Sequence, residues 1–165
     1  MNVKEAINSI QETTDQIVQV SKGLSEQLIR WKPAEDRWSI MEVLCHVEEV
    51  IPYWLKELQA VVASPGIEWG RGIQDEVRLA AVARADQRSV KDVLQTIESS
   101  KKIIQEILGS ISDDDLKIES PSRNPRFGTK SMEYIVDHLL VEHLAKHLNQ
   151  INRNIEQFAE LNKTI

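Results

Sequence analysis

Four long segments of this chain repeat apolar residues at the spacing of an α-helix, and no segment has the alternation of a half-buried strand. The first apolar stripe, for example, contains Val3, Ile7, Ile10, Ile17 and Leu24. An amphipathic helix must bury its apolar face against other elements. The pattern therefore predicts an all-α fold without strands, namely a four-helix bundle with long crossover connections.

Helix boundaries follow from capping residues and from Pro and Gly. The expected helices are helix one over 2–29, helix two from Ser39, helix three from Ser89 and helix four over about 131–160. Ser39 and Glu42 match a capping box, in which side chain and backbone satisfy one another at a helix start. Residues 60–88 form a long crossover, within which 75–83 is expected to be a short helix. Residues 117–130 are expected to form a basic loop.

Composition limits the classes of protein to which the chain can belong. Its 165 residues suit one domain, expected over 1–165, and a net charge of −6 argues against broad nucleic-acid binding. The single cysteine, Cys45, excludes an internal disulfide framework and suits a reducing compartment, where we expect it as a buried small side chain. Neither a signal peptide nor an apolar run of membrane-spanning length is visible, so we expect a cytoplasmic protein without membrane contact.

Three histidines carry the clearest functional signal. His143 and His147 are four residues apart on the apolar stripe of helix four, so their side chains leave the same face. His46 lies on the apolar stripe of helix two. A buried imidazole must satisfy two ring nitrogens, and a metal ion is one way to do so. Three histidine ligands would leave a coordination position open for water or substrate.

The alternative without a metal is that these histidines are core residues hydrogen-bonded to carbonyl groups. A histidine pair at this spacing is a weak pattern alone, and other metal or nucleotide motifs, such as HExxH, CxxC or GxGxxG, are absent. His138 provides a contrast, because five residues on an α-helix rotate it about 140° from His143. We therefore expect His138 to face solvent or a flank of the bundle.

Two runs of the sequence resemble a known family. Residues 38–47, WSIMEVLCHV, look like the second-helix motif of the DinB/YfiT-like metalloenzymes, and residues 142–151, EHLAKHLNQI, look like their last-helix motif. The resemblance implies a four-helix bundle with a divalent metal ion, zinc or nickel, bound by His46, His143 and His147. It also implies a homodimer and a small-molecule substrate. One departure is that Leu148 and Asn149 stand where many members have a basic residue and a glycine.

The same resemblance suggests a reaction, because the family includes S-transferases and isomerases that use a low-molecular-weight thiol. Arg123, Arg126 and Lys130 are candidates for attracting an anionic thiol or substrate, although a solvated loop explains them as well. Trp69, a large aromatic residue in the crossover, is a candidate for the mouth of a pocket.

No general base stands out from the sequence. Glu49, Glu142 and Tyr53 are near the histidines in the chain, but solvated helix faces explain them. Four functions therefore stay open: a thiol-dependent S-transferase, a metal-dependent hydrolase, a non-catalytic metal-binding or interaction bundle, and a bundle with core histidines and no metal.

Overall fold

Helices dominate the computed structural model, which describes residues 1–163. They are α1 (Val3–Ser21), α2 (Glu26–Ile29), α3 (Ile40–Ala63), α4 (Glu76–Ala83), α5 (Val90–Gly109), α6 (Met132–Tyr134) and α7 (His143–Lys163), and a π-helical segment, Ile135–Glu142, joins α6 to α7. Short 3₁₀ turns occur at Ala85–Gln87 and Asp115–Lys117. The helices α1, α3, α5 and α7 form the predicted four-helix bundle.

Helices that follow one another in the chain are not all neighbours in this bundle. Both α1 and α3 pack against α5 and α7. The pair α1 and α3 therefore lies at opposite corners, as does the pair α5 and α7, and the chain between the members of each pair crosses an end of the bundle. A metal ion shared by His46, His143 and His147 requires the helices that carry them to be neighbours, and α3 and α7 are in contact.

The apolar stripes of the helices meet in the interior, and their polar faces point outward. The largest fully buried side chains include Ile10, Ile17, Leu44, Ile51, Leu55, Ile97 and Ile104. No helix within residues 1–163 is both long enough and apolar enough to cross a membrane.

Capping residues determine where the helices begin, and one predicted boundary is wrong. Ser39 and Glu42 form the expected capping box at the start of α3, with bonds of 3.0 and 3.1 Å. Helix one does not extend over 2–29, because α1 ends at Ser21. Gly23 has a left-handed φ of +85°, and Ser25 then caps the separate helix α2.

The expectation that the chain has no strands is also wrong. Within the predicted loop 117–130 and just beyond it, β1 (Glu119–Pro121) pairs antiparallel with β2 (Thr129–Ser131). Each strand has three residues, which is too short for a recognisable alternation of apolar and polar residues. Trp69 pairs with Ser122 beside this hairpin, so the hairpin is attached to the other crossover. The short helix predicted over 75–83 is present as α4.

Candidate metal centre

Two neighbouring helices bring three histidines together. His46 lies one and a half turns into α3, where the capping box holds the start of the helix. His143 and His147 occupy successive turns of α7. His46 and His147 are almost fully buried, with exposed fractions of 1% and 5%, and His143 is partly buried.

The three Nε2 atoms point toward a common centre. Nε2 of His143 lies 3.4 Å from Nε2 of His46 and 2.8 Å from Nε2 of His147. One ring nitrogen from each of the three residues lies within 4.8 Å of the others. Nitrogen ligands about 2.0–2.1 Å from a metal ion are about 3.3 Å apart in a tetrahedron and about 2.9 Å apart at a right angle. The two separations that involve His143 are therefore close to those of ligands to one ion.

The hydrogen bonds around the rings suit a cation at this centre. Nδ1 of His147 lies 3.0 Å from Oε1 of Gln150, which can accept its hydrogen and so leave the Nε2 lone pair directed at the centre. Nδ1 of His46 is buried without a hydrogen-bond partner among residues 1–163, whereas the His143 ring interacts with the backbone of Leu139. When each ring carries its hydrogen on Nδ1, three Nε2 lone pairs converge, and a cation between them would bind all three.

The environment keeps the imidazoles in the neutral form that binds metals. Burial, with the neighbouring His147 and His143, lowers the pKa of His46 to about 2. Burial and the neighbouring His147 lower the pKa of His143 to about 3. Burial also lowers the pKa of His147. Because protonation would block Nε2, neutral rings are available as ligands at physiological pH.

Trp38 closes one side of the cluster. Its ring centroid lies 5.2 Å from that of His46 and 6.4 Å from that of His147, stacked on the latter. Its carbonyl accepts a hydrogen bond of 3.0 Å from Asn154 Nδ2 on α7. This contact joins the segment before α3 to the helix that carries the histidine pair.

The opposite side of the cluster opens into a cavity of about 320 Å³. Its walls are His46, Val50 and Trp54 of α3 and the residues His138, Leu139, Glu142, His143 and Lys146 of the last helix; its roof is Arg71, Gly72, Ile73, Arg78, Asn124, Arg126 and Phe127. The roof residues come from the crossover before α5 and from the segment between α5 and α6. The candidate metal centre is therefore at the base of a cavity formed by both helices and loops.

His138 is in this cavity, which the sequence did not predict. Its side chain is 47% exposed, as expected, but it lines the cavity together with His143. The α-helical rotation of 140° does not apply, because His138 lies in the π-helical segment, where the hydrogen bonds join residues five apart. Nδ1 of His138 lies 2.7 Å from Oε2 of Glu142, so a carboxylate orients the ring.

Several other candidates have different places from those expected. Trp69 is fully buried and does not lie at the mouth of a pocket. Its indole N–H donates a hydrogen bond of 2.8 Å to the Ser120 carbonyl. Arg126 lines the cavity, whereas Arg123 donates to Glu57 over 2.9 Å. The ammonium group of Lys130 lies 5.0 Å from the centre of the Tyr134 ring.

The residues near the histidines in sequence have mainly structural contacts. The guanidinium group of Arg71 donates to Glu49 over 2.6 Å and lies 3.7 Å from the centre of the Tyr53 ring. These contacts hold the roof of the cavity on α3. Cys45 is buried and free, as predicted, and burial raises its pKa to about 11.

Comparisons with known proteins agree with this description. No curated protein matches the chain. A solved structure of YfiT from Bacillus subtilis superposes on this chain with a TM-score of 0.81 at 11% sequence identity. The superposition covers 95% of this chain and 87% of YfiT, which is described as a probable metal-dependent hydrolase with an unusual four-helix bundle topology. At that identity, the likeness establishes the fold. The model of the DinB superfamily matches residues 9–151, most of the sequence, and the chain therefore belongs to the DinB superfamily.

Proposed function

We propose that this protein is a metal-dependent enzyme in which His46, His143 and His147 bind one divalent ion, zinc or nickel. The observation that carries the proposal is the convergence of three imidazole Nε2 atoms, two of them on almost fully buried side chains, with separations of 2.8 and 3.4 Å, beside a cavity. A closed structural site would use a fourth protein ligand. The metal-binding cluster found in residues 1–163 has three, and two of them line the cavity.

When bound, a divalent ion with three neutral ligands lowers the pKa of a further ligand, water or thiol, and so supplies a nucleophile near neutral pH. The chain itself provides a group that can move protons in the cavity. His138 is oriented through Nδ1 by Glu142, which leaves its Nε2 free to accept or donate a proton. We propose His138 as the general base that neither spacing nor motif had indicated.

Two reactions fit this arrangement. Hydrolysis would use water as the nucleophile, and it is supported by the description of YfiT, a structure of the same fold, as a probable metal-dependent hydrolase. Thiol S-transfer would use a low-molecular-weight thiol, and it is supported by the resemblance of the two histidine motifs. The reactions need the same metal centre and the same proton acceptor, so the centre is the part of the proposal to test first.

The experiment compares protein purified without chelator, protein stripped with chelator, and stripped protein reloaded with zinc or nickel. We expect about one metal ion per chain by mass spectrometry. We also expect an activity, in a panel of esters and amides or in transfer of small thiols to electrophiles, that disappears on stripping and returns on reloading. No metal above background after loading would favour core histidines, and metal without any activity would favour a binding bundle.

Further properties stay predictions. A homodimer is expected from the family resemblance, and light scattering would contradict it if the mass at high concentration were that of the 18.9 kDa monomer. A small-molecule substrate and a cytoplasmic location are likewise expected from sequence.

A further inference from the structure

We propose that the cavity beside the histidines binds a small molecule with a carboxylate or phosphate group, and that Arg78, Arg126 and Lys146 hold this anionic group. The inference deepens the proposed function: it rests on that function for the reacting end of the molecule, which would lie next to His46 and His143. The evidence for the anionic end is independent of any metal and comes from charge, unpaired donors and size.

The charge around the cavity is opposite to that of the whole protein. The chain has a net charge of −6. The cavity lining nevertheless has four cationic side chains, from Arg71, Arg78, Arg126 and Lys146, and one carboxylate, from Glu142, and the carboxylates just behind the lining, Glu49 and Asp75, are paired with Arg71. A cationic cavity in an acidic protein favours anionic ligands over neutral or cationic ones.

Three of these cations have no carboxylate partner within residues 1–163. Arg71 is already paired, because it contacts both Glu49 and Asp75. The single carboxylate of the cavity, Glu142, is bonded to His138. No salt bridge within 4.0 Å involves the remaining three, Arg78, Arg126 and Lys146, in the part of the chain that the structure describes.

Arg78 is the most constrained of the three. It is partly buried, with one nitrogen bonded to the Ile73 carbonyl over 3.0 Å and its guanidinium carbon 5.8 Å from the centre of the Trp38 ring. Glu49 and Asp75 act on it electrostatically, but both carboxylates are bound by Arg71. A guanidinium group that is held in place and not neutralised can bind a carboxylate or phosphate through two hydrogen bonds.

A neutral donor in the cavity wall also lacks an acceptor. Trp54 has an exposed fraction of 6% and lines the cavity, and its indole N–H has no hydrogen-bond partner among the described residues. A buried N–H without an acceptor is unfavourable. The N–H itself is enclosed by protein atoms, whereas the Trp54 ring lines the cavity, so a bound oxyanion would change the surroundings of the ring and shift the indole signal.

The size and the remaining lining limit the ligand. A volume of about 320 Å³ is at the lower end of small-molecule sites, so the cavity suits a small metabolite and not a protein segment or nucleic acid. Val50, Leu139 and Phe127 give it an apolar part as well. We therefore expect a short carbon skeleton between the anionic group and the reacting group.

The test measures binding of two probes, inorganic phosphate and succinate, by calorimetry and by the NMR shift of the Trp54 indole N–H. Both probes could bind a metal directly, so the decisive measurements use His147→Ala protein treated with chelator. His147 does not line the cavity. We expect the probes to bind this metal-free protein, to shift the Trp54 signal, and to bind more weakly as salt is increased. A stronger response to phosphate or to succinate would identify which anionic group the site prefers.

The variants compare charges inside and outside the cavity. Arg78→Gln and Lys146→Gln should each weaken binding by about tenfold or more, since hydrogen bonds to charged groups are lost. Arg84→Gln removes the same charge from an exposed position of the same helical region and should leave the affinity unchanged. Arg78→Lys, which keeps the charge, should retain more affinity than Arg78→Gln.

Equal affinities for Arg78→Gln and Arg84→Gln, or an unmoved Trp54 signal at saturation, would overturn the inference. If the variants gave these contradicting results but the natural protein bound metal and turned over a substrate, the proposed function would stand without the anion site. If Arg78→Gln weakened anion binding but the natural protein bound no metal, the proposed function would fail and the anion site would stand.

Discussion

The two halves of the last helix differ in helix type, and this difference determines where their histidine side chains point. In α7, residues four apart share a face, and His143 and His147 have their Nε2 atoms 2.8 Å apart. In the preceding π-helical segment, hydrogen bonds join residues five apart, and His138 lines the same cavity as His143. The comparison shows that helix type, together with spacing, decides which side chains meet. His143 and His147 are accordingly proposed as metal ligands, and His138 as the group that carries a proton.

The largest expected effect is on the α-helical side of this comparison. His147→Ala should abolish stable metal binding, because it removes one of three proposed ligands and leaves two buried imidazoles with an open site. Metal content after gel filtration, measured by mass spectrometry, checks this. His138→Ala is the matched control and should keep its metal. Equal metal loss in both variants would place His138 among the ligands and would contradict its separate role as a proton carrier.

A smaller effect is expected on the π-helical side. His138→Ala should reduce turnover by about 10²–10⁴-fold with metal content unchanged, which is the usual contribution of a general acid or base. His138→Gln, which preserves size without a basic nitrogen, should be reduced to a similar extent. The measurement is steady-state turnover with whichever substrate the metal-dependent screen identifies. Full activity of His138→Ala would show that the cavity uses another proton acceptor.

The smallest effect concerns the orientation of one ligand. Gln150→Ala removes the acceptor at 3.0 Å from Nδ1 of His147, and loss of such a partner usually weakens metal affinity by about 10–100-fold. Competition with a coloured chelator measures the change. Asn149→Ala, an exposed position on the same turn, is the control. If both variants had the natural affinity, Gln150 would not orient the imidazole.

The regular parts of the fold could be predicted from sequence because their causes are local. The capping box of Ser39 and Glu42 marks the start of α3, and the apolar stripes indicate the faces that meet in the bundle. Those stripes also placed His46, His143 and His147 on inward faces. Their convergence then required only that α3 and α7 be neighbours, as they are.

Other parts depend on interactions that a linear pattern does not contain. The π-helical segment has an ordinary apolar pattern, so an α-helical wheel predicted the exposure of His138 but not its place in the cavity beside His143. The hairpin strands have three residues each, and their pairing with Trp69 joins positions about fifty residues apart. The unpaired state of Arg78 depends on Arg71 having bound the nearby carboxylates. Such long-range partners are visible only in three dimensions.

The division of the cavity into helical walls and a loop roof has a consequence for evolution. The proposed ligands, His138 and Lys146 belong to the bundle helices, whereas Arg78 and Arg126 belong to the segments that connect those helices. Loops accept substitutions and insertions more readily than packed helices do. Descendants of one ancestral bundle can therefore exchange the groups that select a substrate while they inherit the same reactive centre. The crossing connections make the fold a reusable support for different specificities.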